Sequence, residues 1–186
     1  MRKIKVFNQI SLDGYFADAS SDMRWAHRQD AEWTAFASDN SSGGGELLFG
    51  RKTYDQMAGF WPTPMAMELA PIVAKQMNAK RKVVFSRTLS DEGLWNNTRL
   101  MKGDLVESAK TLKAEAGEPL VLMGSGSVVA QLMEADLIDE LQLVIVPIVL
   151  GAGRTLFEGV KRRPELKLER SRSFSNGNVV LWYARA

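Results

Sequence analysis

The sequence predicts an α/β sandwich built on a mostly parallel central sheet with an antiparallel edge. Short β-rich apolar runs alternate with helix-forming stretches along most of the chain. The last quarter breaks that alternation. Two strand-like runs, 165–174 and 178–185, are joined by Ser175-Asn176-Gly177-Asn178, a hairpin signal. Size supports one domain over residues 1–186, since a chain this long, 45% hydrophobic and 25% charged, can bury a full core.

Each element has its own local reason. Lys3 to Ile10 is β-rich and apolar, and Asp13-Gly14 turns the chain after it. Residues 30–38 carry Ala31, Trp33 and Ala37 near helical spacing, with Asp30 as N-cap. Glu46 to Phe49 is a short strand ending at Gly50, and 51–58 reads as a short helix. Residues 68–79 are weakly helical around a proline. Lys82 to Ser86 and Arg99 to Lys102 read as strands. Asp104 to Ala116 opens with an acidic cap and continues in helix formers. Leu120 to Met123 is a strand and Ser127 to Ala135 a helix. Leu141 to Leu150 reads as a long strand interrupted by Pro147, which implies a bulge or an edge.

Composition removes several functions. With no cysteine, the chain has no disulfide, thiolate or cysteine-ligated metal chemistry, and a single histidine, His27, speaks against a histidine metal centre. No metal is expected. The N-terminus reads as a first strand instead of a signal peptide, and no run reaches membrane-spanning length, so a cytoplasmic location away from membranes is expected. A net charge of +2 is too small to imply nucleic acid. The basic residues, among them Arg2/Lys3/Lys5 and Lys80/Arg81/Lys82, are dispersed and read mostly as solvated surface.

Three strand-to-helix or strand-to-loop junctions carry glycine or serine: Gly50-Arg51-Lys52-Thr53, Ser86-Arg87-Thr88 and Gly124-Ser125-Gly126-Ser127. In open α/β sheets such junctions face ligands, and free N–H groups there favour an anion. Gly50 and Gly124 allow close backbone approach. Three junctions in one sheet, two with arginine, point to a nucleotide. Yet Gly124-Ser125-Gly126 is followed by Ser127, Val128 and Val129, so neither the dinucleotide fingerprint nor the phosphate-loop pattern is present.

Taken in order, Ser11-Leu12-Asp13-Gly14-Tyr15-Phe16-Ala17, Leu48-Phe49-Gly50-Arg51-Lys52-Thr53-Tyr54, Val84-Phe85-Ser86-Arg87-Thr88-Leu89, Met123-Gly124-Ser125-Gly126-Ser127 and the block from Leu137 through Pro147 to Phe157 resemble the dihydrofolate reductase-like superfamily. The resemblance is greatest to the branch holding the reductase domain of bacterial riboflavin biosynthesis. It implies a dihydrofolate reductase-like three-layer sandwich and NADPH as cofactor. Gly50, Arg51, Lys52 and Thr53 would serve the pyrophosphate and adenosine side. Ser86 and Arg87 would take the 2′-phosphate, and Gly124, Ser125, Gly126, Ser127 and Val128 would pass under the pyrophosphate and nicotinamide.

On the substrate side the resemblance places Asp13 beside the nicotinamide, as a ligand-facing residue and a candidate route for the proton. It also makes Trp25 the aromatic that closes over the site. The implied reaction is hydride transfer to a C=N or C=O of a pterin- or pyrimidine-ribosylamino-like small molecule. Dihydrofolate reduction and cofactor or pterin binding without catalysis are the alternatives. One departure counts against dihydrofolate: Asp30, Glu32 and Asp39 are out of register with the carboxylate that dihydrofolate reductases place on this helix. Relatives also pair through the strand at 141–150 and the terminal hairpin, which implies a homodimer.

Overall fold

The computed structural model describes residues 1–28 and 30–186. In chain order its strands are β1 (Ile4–Ser11), β2 (Tyr15–Asp18), β3 (Glu46–Gly50), β4 (Lys82–Phe85), β5 (Thr98–Met101), β6 (Leu120–Leu122), β7 (Glu140–Val146), β8 (Gly153–Thr155), β9 (Leu166–Ser173) and β10 (Val179–Arg185). The helices are α1 (Ala31–Ser42), α2 (Arg51–Phe60), α3 (Pro64–Leu69), α4 (Pro71–Ala79), α5 (Leu105–Ala114) and α6 (Gly126–Glu134). Eight strands form one sheet in the order β5-β4-β3-β6-β1-β7-β10-β9. The first six are parallel, and β10 and β9 close the sheet as an antiparallel hairpin. Strand β6 enters late, slotting between β1 and β3.

Alternation along the strands sends side chains to two helical layers. Leu48 and Val83 join Ala109, Leu112, Val129 and Leu132, which brings α5 and α6 onto one face. Leu47, Phe49 and Val84 pack with Tyr54 and Met77 of α2 and α4 on the other. Farther along that second face, Val144, Val146 and Val180 meet Trp33 of α1. The interior strands β3 and β4 bury every residue, as a parallel strand covered on both faces must. No helix among the described residues is long and apolar enough to cross a membrane.

Caps fall where the sequence places them. Asp30 accepts from the Trp33 amide at 2.6 Å to open α1, and Asp104 caps α5. The terminal hairpin turns at Gly177, φ +85°, with Phe174 N–H donating to the Asn178 carbonyl at 2.9 Å.

Several expectations need correction. The single weak helix at 68–79 is two helices, because Pro71 has no N–H to continue α3 and instead opens α4. Strand β7 stops at Val146 and not at Leu150. Pro147 cannot donate to a ladder, and residues 147–150 turn away as a loop. A small antiparallel pair, β2 with β8, was not legible in runs of four and three residues. Nor are the basic residues all solvated. Arg2 is buried against Glu46 at 2.7 Å, each side chain 5% exposed. Lys82 is wholly buried, donating to the carbonyls of Asn78, Lys80 and Asn96 with its ammonium 4.2 Å from the Trp95 ring centre.

Candidate active site at the carboxyl edge of the sheet

Strand order sets the site. β4, β3, β6 and β1 are neighbours and parallel, so their carboxyl ends emerge in a row. Along that row lie Ser86-Arg87, Gly50-Arg51, Gly124-Ser125 and Ser11 to Asp13. At about 4.8 Å per strand the row spans roughly 14 Å from β4 to β1.

The middle two junctions are joined directly. Gly50 N–H donates to the Gly124 carbonyl at 2.8 Å. A Cβ on Gly50 would lie 2.5 Å from Ser125 Oγ and 2.8 Å from Val128 Cγ2, so glycine is what lets the two turns touch. Gly124 has φ +114°, and its Cβ position is 3.1 Å from Thr53 Oγ1. Its peptide bond to Ser125 is cis. The Ser125 and Ser127 hydroxyls are 3.3 Å apart. Gly50, Thr53, Gly124, Ser125, Ser127 and Val128 therefore form one cluster.

Two helices begin in that cluster, α2 from Gly50 and α6 from Ser125, and neither has a side-chain cap. Of the other helices, α1, α3 and α5 are capped by Asp30, Thr63 and Asp104, and α4 opens at Pro71 with no side-chain cap. The uncapped N–H groups of α2 and α6 face the same spot with the positive ends of their dipoles. Uncapped N–H groups of this kind are the backbone feature that favours an anion.

The flanking charges differ in availability. Arg51 is clamped to Asp55 one turn on, at 2.7 Å, whereas Lys52 is exposed. Ser86 Oγ accepts from the amides of Thr88 and Leu89 and so shapes the loop that carries Arg87. Arg87 is exposed and makes no ion pair among the described residues.

Asp13 lies at the end of β1, on the far side of the glycine cluster. Its carboxylate accepts from Ser11 Oγ at 2.6 Å and from the amides of Leu150 and Gly151 at 3.1 and 2.8 Å. The Ser11 hydroxyl above all, helped by those amides, holds the carboxyl at about 2. Asp13 thus ties the β1 turn to the loop after β7.

Trp25 is half-buried, its ring N–H donating to the Asp22 carbonyl at 3.0 Å, and it packs against the cluster of Val144, Val146 and Phe174. No described contact joins it to the glycine cluster. His27 is exposed. The α1 carboxylates are engaged elsewhere: Asp30 with Trp33 and Ser175, Glu32 with Arg172 and Ser175, and Asp39 is exposed. The buried residue of α1 is Trp33.

One contributor escaped the sequence reading. Phe16 packs so tightly under Gly126 that a Cβ there would meet its ring at 2.5 Å, and Arg154 sits 5.7 Å from the same ring centre. The pairing of β2 with β8 brings Phe16 and Arg154 together, and strands that short leave no periodic signal.

Comparison with known proteins identifies the family and the fold. The model of the RibD C-terminal domain matches residues 2–180. An uncharacterised Bacillus subtilis protein, YyaP, is 30% identical over 98% of this chain and 94% of its own length. The crystal structure of a putative riboflavin biosynthesis protein from Shewanella superposes with a TM-score of 0.74 at 26% identity, over 99% of both chains. Dihydrofolate reductase from Enterococcus faecalis, complexed with NADP(H) and RAB-propyl, superposes with a TM-score of 0.65 at 13% identity over 98% of this chain and 96% of its own, a likeness of fold. The chain belongs to the RibD C-terminal domain family and has the dihydrofolate reductase-like fold, with a mostly parallel eight-stranded sheet and an antiparallel C-terminal hairpin.

Proposed function

We propose that the protein is an NADPH-dependent reductase that delivers hydride to a C=N or C=O carbon of a heterocyclic small molecule, related to the reductase step of riboflavin biosynthesis. One observation carries the reading: the uncapped N-termini of α2 and α6 converge where Gly50 and Gly124 bring the backbone to the surface. That spot suits a pyrophosphate, and Arg87, in the loop that follows the neighbouring strand β4, suits a 2′-phosphate. Family membership and the likeness to an NADP(H)-bound reductase support the same choice.

NADPH, when bound, supplies the hydride. The chain supplies orientation. The glycine cluster fixes the pyrophosphate, Phe16 backs the Gly126 turn, and Asp13 holds the Leu150–Gly151 loop at the nicotinamide end of the row. A carboxyl held near 2 has no proton to give at neutral pH. Asp13 is therefore a positioning residue in this reading, and water is the proton source. Pterin reduction is disfavoured, because a buried Trp33, and no carboxylate, occupies the inner face of α1. We include a homodimer in the proposal; the exposed outer strand β9 is one of the two free edges of the sheet, β5 being the other.

Thermal shift tests the cofactor. NADPH is expected to raise the melting temperature well above the effect of NADH. Arg87→Ala should weaken NADPH by about tenfold and erase the preference without changing the unliganded melting temperature. Equal protection by both nucleotides in the parent protein would sink the assignment.

A further inference from the structure

At the amino-terminal ends of the strands, opposite the glycine cluster, lie two adjoining clefts of about 460 and about 380 Å³. They share Lys3, Lys5 and Glu140, so they form one groove across the sheet face below the end of α1. Phe7, Val121 and Trp182 give the groove flat apolar surface.

Two polar groups in this groove lack partners. Gln142 is 1% exposed; its amide N–H donates to Asn40 at 2.8 Å, but its Oε1 accepts nothing. An unpaired buried carbonyl is costly and calls for a donor. Lys5 is half-buried and its ammonium makes no hydrogen bond or ion pair among the described residues. Burial lowers its pKa from the ordinary lysine value, with Glu140 opposing and Arg170 adding to the shift. Lys5 pairs in register with Glu140, and Gln142 is the next residue on that face of β7. The free cation and the free acceptor are thus diagonal neighbours on one face of the sheet.

The surrounding charges narrow the ligand. Lys3 is already paired with Glu140 at 2.7 Å, and Arg170 lies over Trp182 at 3.8 Å. Glu169 and Asp39 add negative charge at the rim. A dianion would meet those carboxylates, whereas a monoanion matches the one unpaired ammonium. We propose that the groove binds a planar heteroaromatic carboxylate, with its acid on Lys5 Nζ and its ring N–H on Gln142 Oε1. This site is separate from the carboxyl edge and does not rest on the NADPH reading.

Indole-2-carboxylate, which carries both groups side by side, is a suitable probe for isothermal titration calorimetry. Saturable binding is expected, weakened by about tenfold or more for 1-methylindole-2-carboxylate, which lacks the N–H, and for indole, which lacks the acid. Lys5→Gln and Gln142→Leu should weaken it similarly while leaving the melting temperature gain from NADPH unchanged. The first variant guards against a folding defect in the second. Absence of saturable binding at millimolar probe, or equal binding to Lys5→Gln, would overturn the proposal. So would sedimentation showing a dimer that Lys5→Gln dissociates, since the groove would then hold a second copy of the chain.

Discussion

The two ends of the central sheet handle charge and hydrogen bonding in opposite ways. At the amino-terminal ends, ionic groups are buried and answered from within. Arg2 meets Glu46 and the Glu118 carbonyl, Lys113 meets Asp139 and the Leu137 carbonyl, and Lys82 closes three carbonyls left open around the end of α4. At the carboxyl ends, the donors of two helices are left open, glycine keeps side chains away, and Arg87 makes no ion pair among the described residues. The first pattern keeps these three buried cations hydrogen-bonded, so none carries the cost of an uncompensated buried charge; half-buried Lys5 is the exception at that end. The second gives up caps worth about 1 kcal/mol each, and an external anion can take their place. An unmet donor beside an exposed, glycine-lined turn is thus better evidence of function than a charge as such.

The contrast is open to attack at each end. The largest effect is expected for Lys82→Ala. It leaves buried carbonyls unpaired beside a cavity, and should cost about 3 kcal/mol in urea unfolding while sparing NADPH affinity in whatever fraction folds. Loss of cofactor affinity with intact stability would reverse the assignment of the two ends. Gly50→Ala comes next. Its Cβ collides with Ser125 and Val128, so about 2 kcal/mol of stability should go together with most NADPH protection. Stability lost without any change in cofactor binding would mean that the cluster is only a packing contact.

The smallest effect concerns Asp13. Its folded carboxyl titrates at about 2, below the ordinary 3.8, so its stabilisation is complete above that ordinary value and fades as pH falls toward 2. In Asp13→Asn, the acid limb of the melting-temperature profile should flatten over that window. A mutant profile parallel to the parent's would show that the loop tie contributes nothing.

Much of the carboxyl edge was legible because it is local. Gly50, Ser86 and Gly124 each follow a β-rich run directly, and a turn next to a strand is visible in sequence. The amino-terminal end was not legible, since burial of Arg2 and Lys82 depends on which strands become neighbours. Arg2 reads as a terminal surface charge until Glu46, 44 residues away, arrives beside it. The same limit hid Phe16 under Gly126 and the pairing of β2 with β8. It also made Leu141 to Leu150 look like one strand, although a single missing N–H at Pro147 ends the ladder.

The late insertion of β6 has a consequence for how the molecule is assembled in time. Until residues 120–134 are in place, β1 and β3 have no common neighbour, because β6 is the strand that joins them. Nascent chain emerging from a ribosome would hold β3, β4 and β5 as a patch with β1 waiting unpaired. The stretch that joins β1 to β3 is also the stretch that supplies Gly124 and the start of α6. Formation of the glycine cluster and the joining of β1 to the β3 side of the sheet are therefore one event, with β7, β10 and β9 added afterwards.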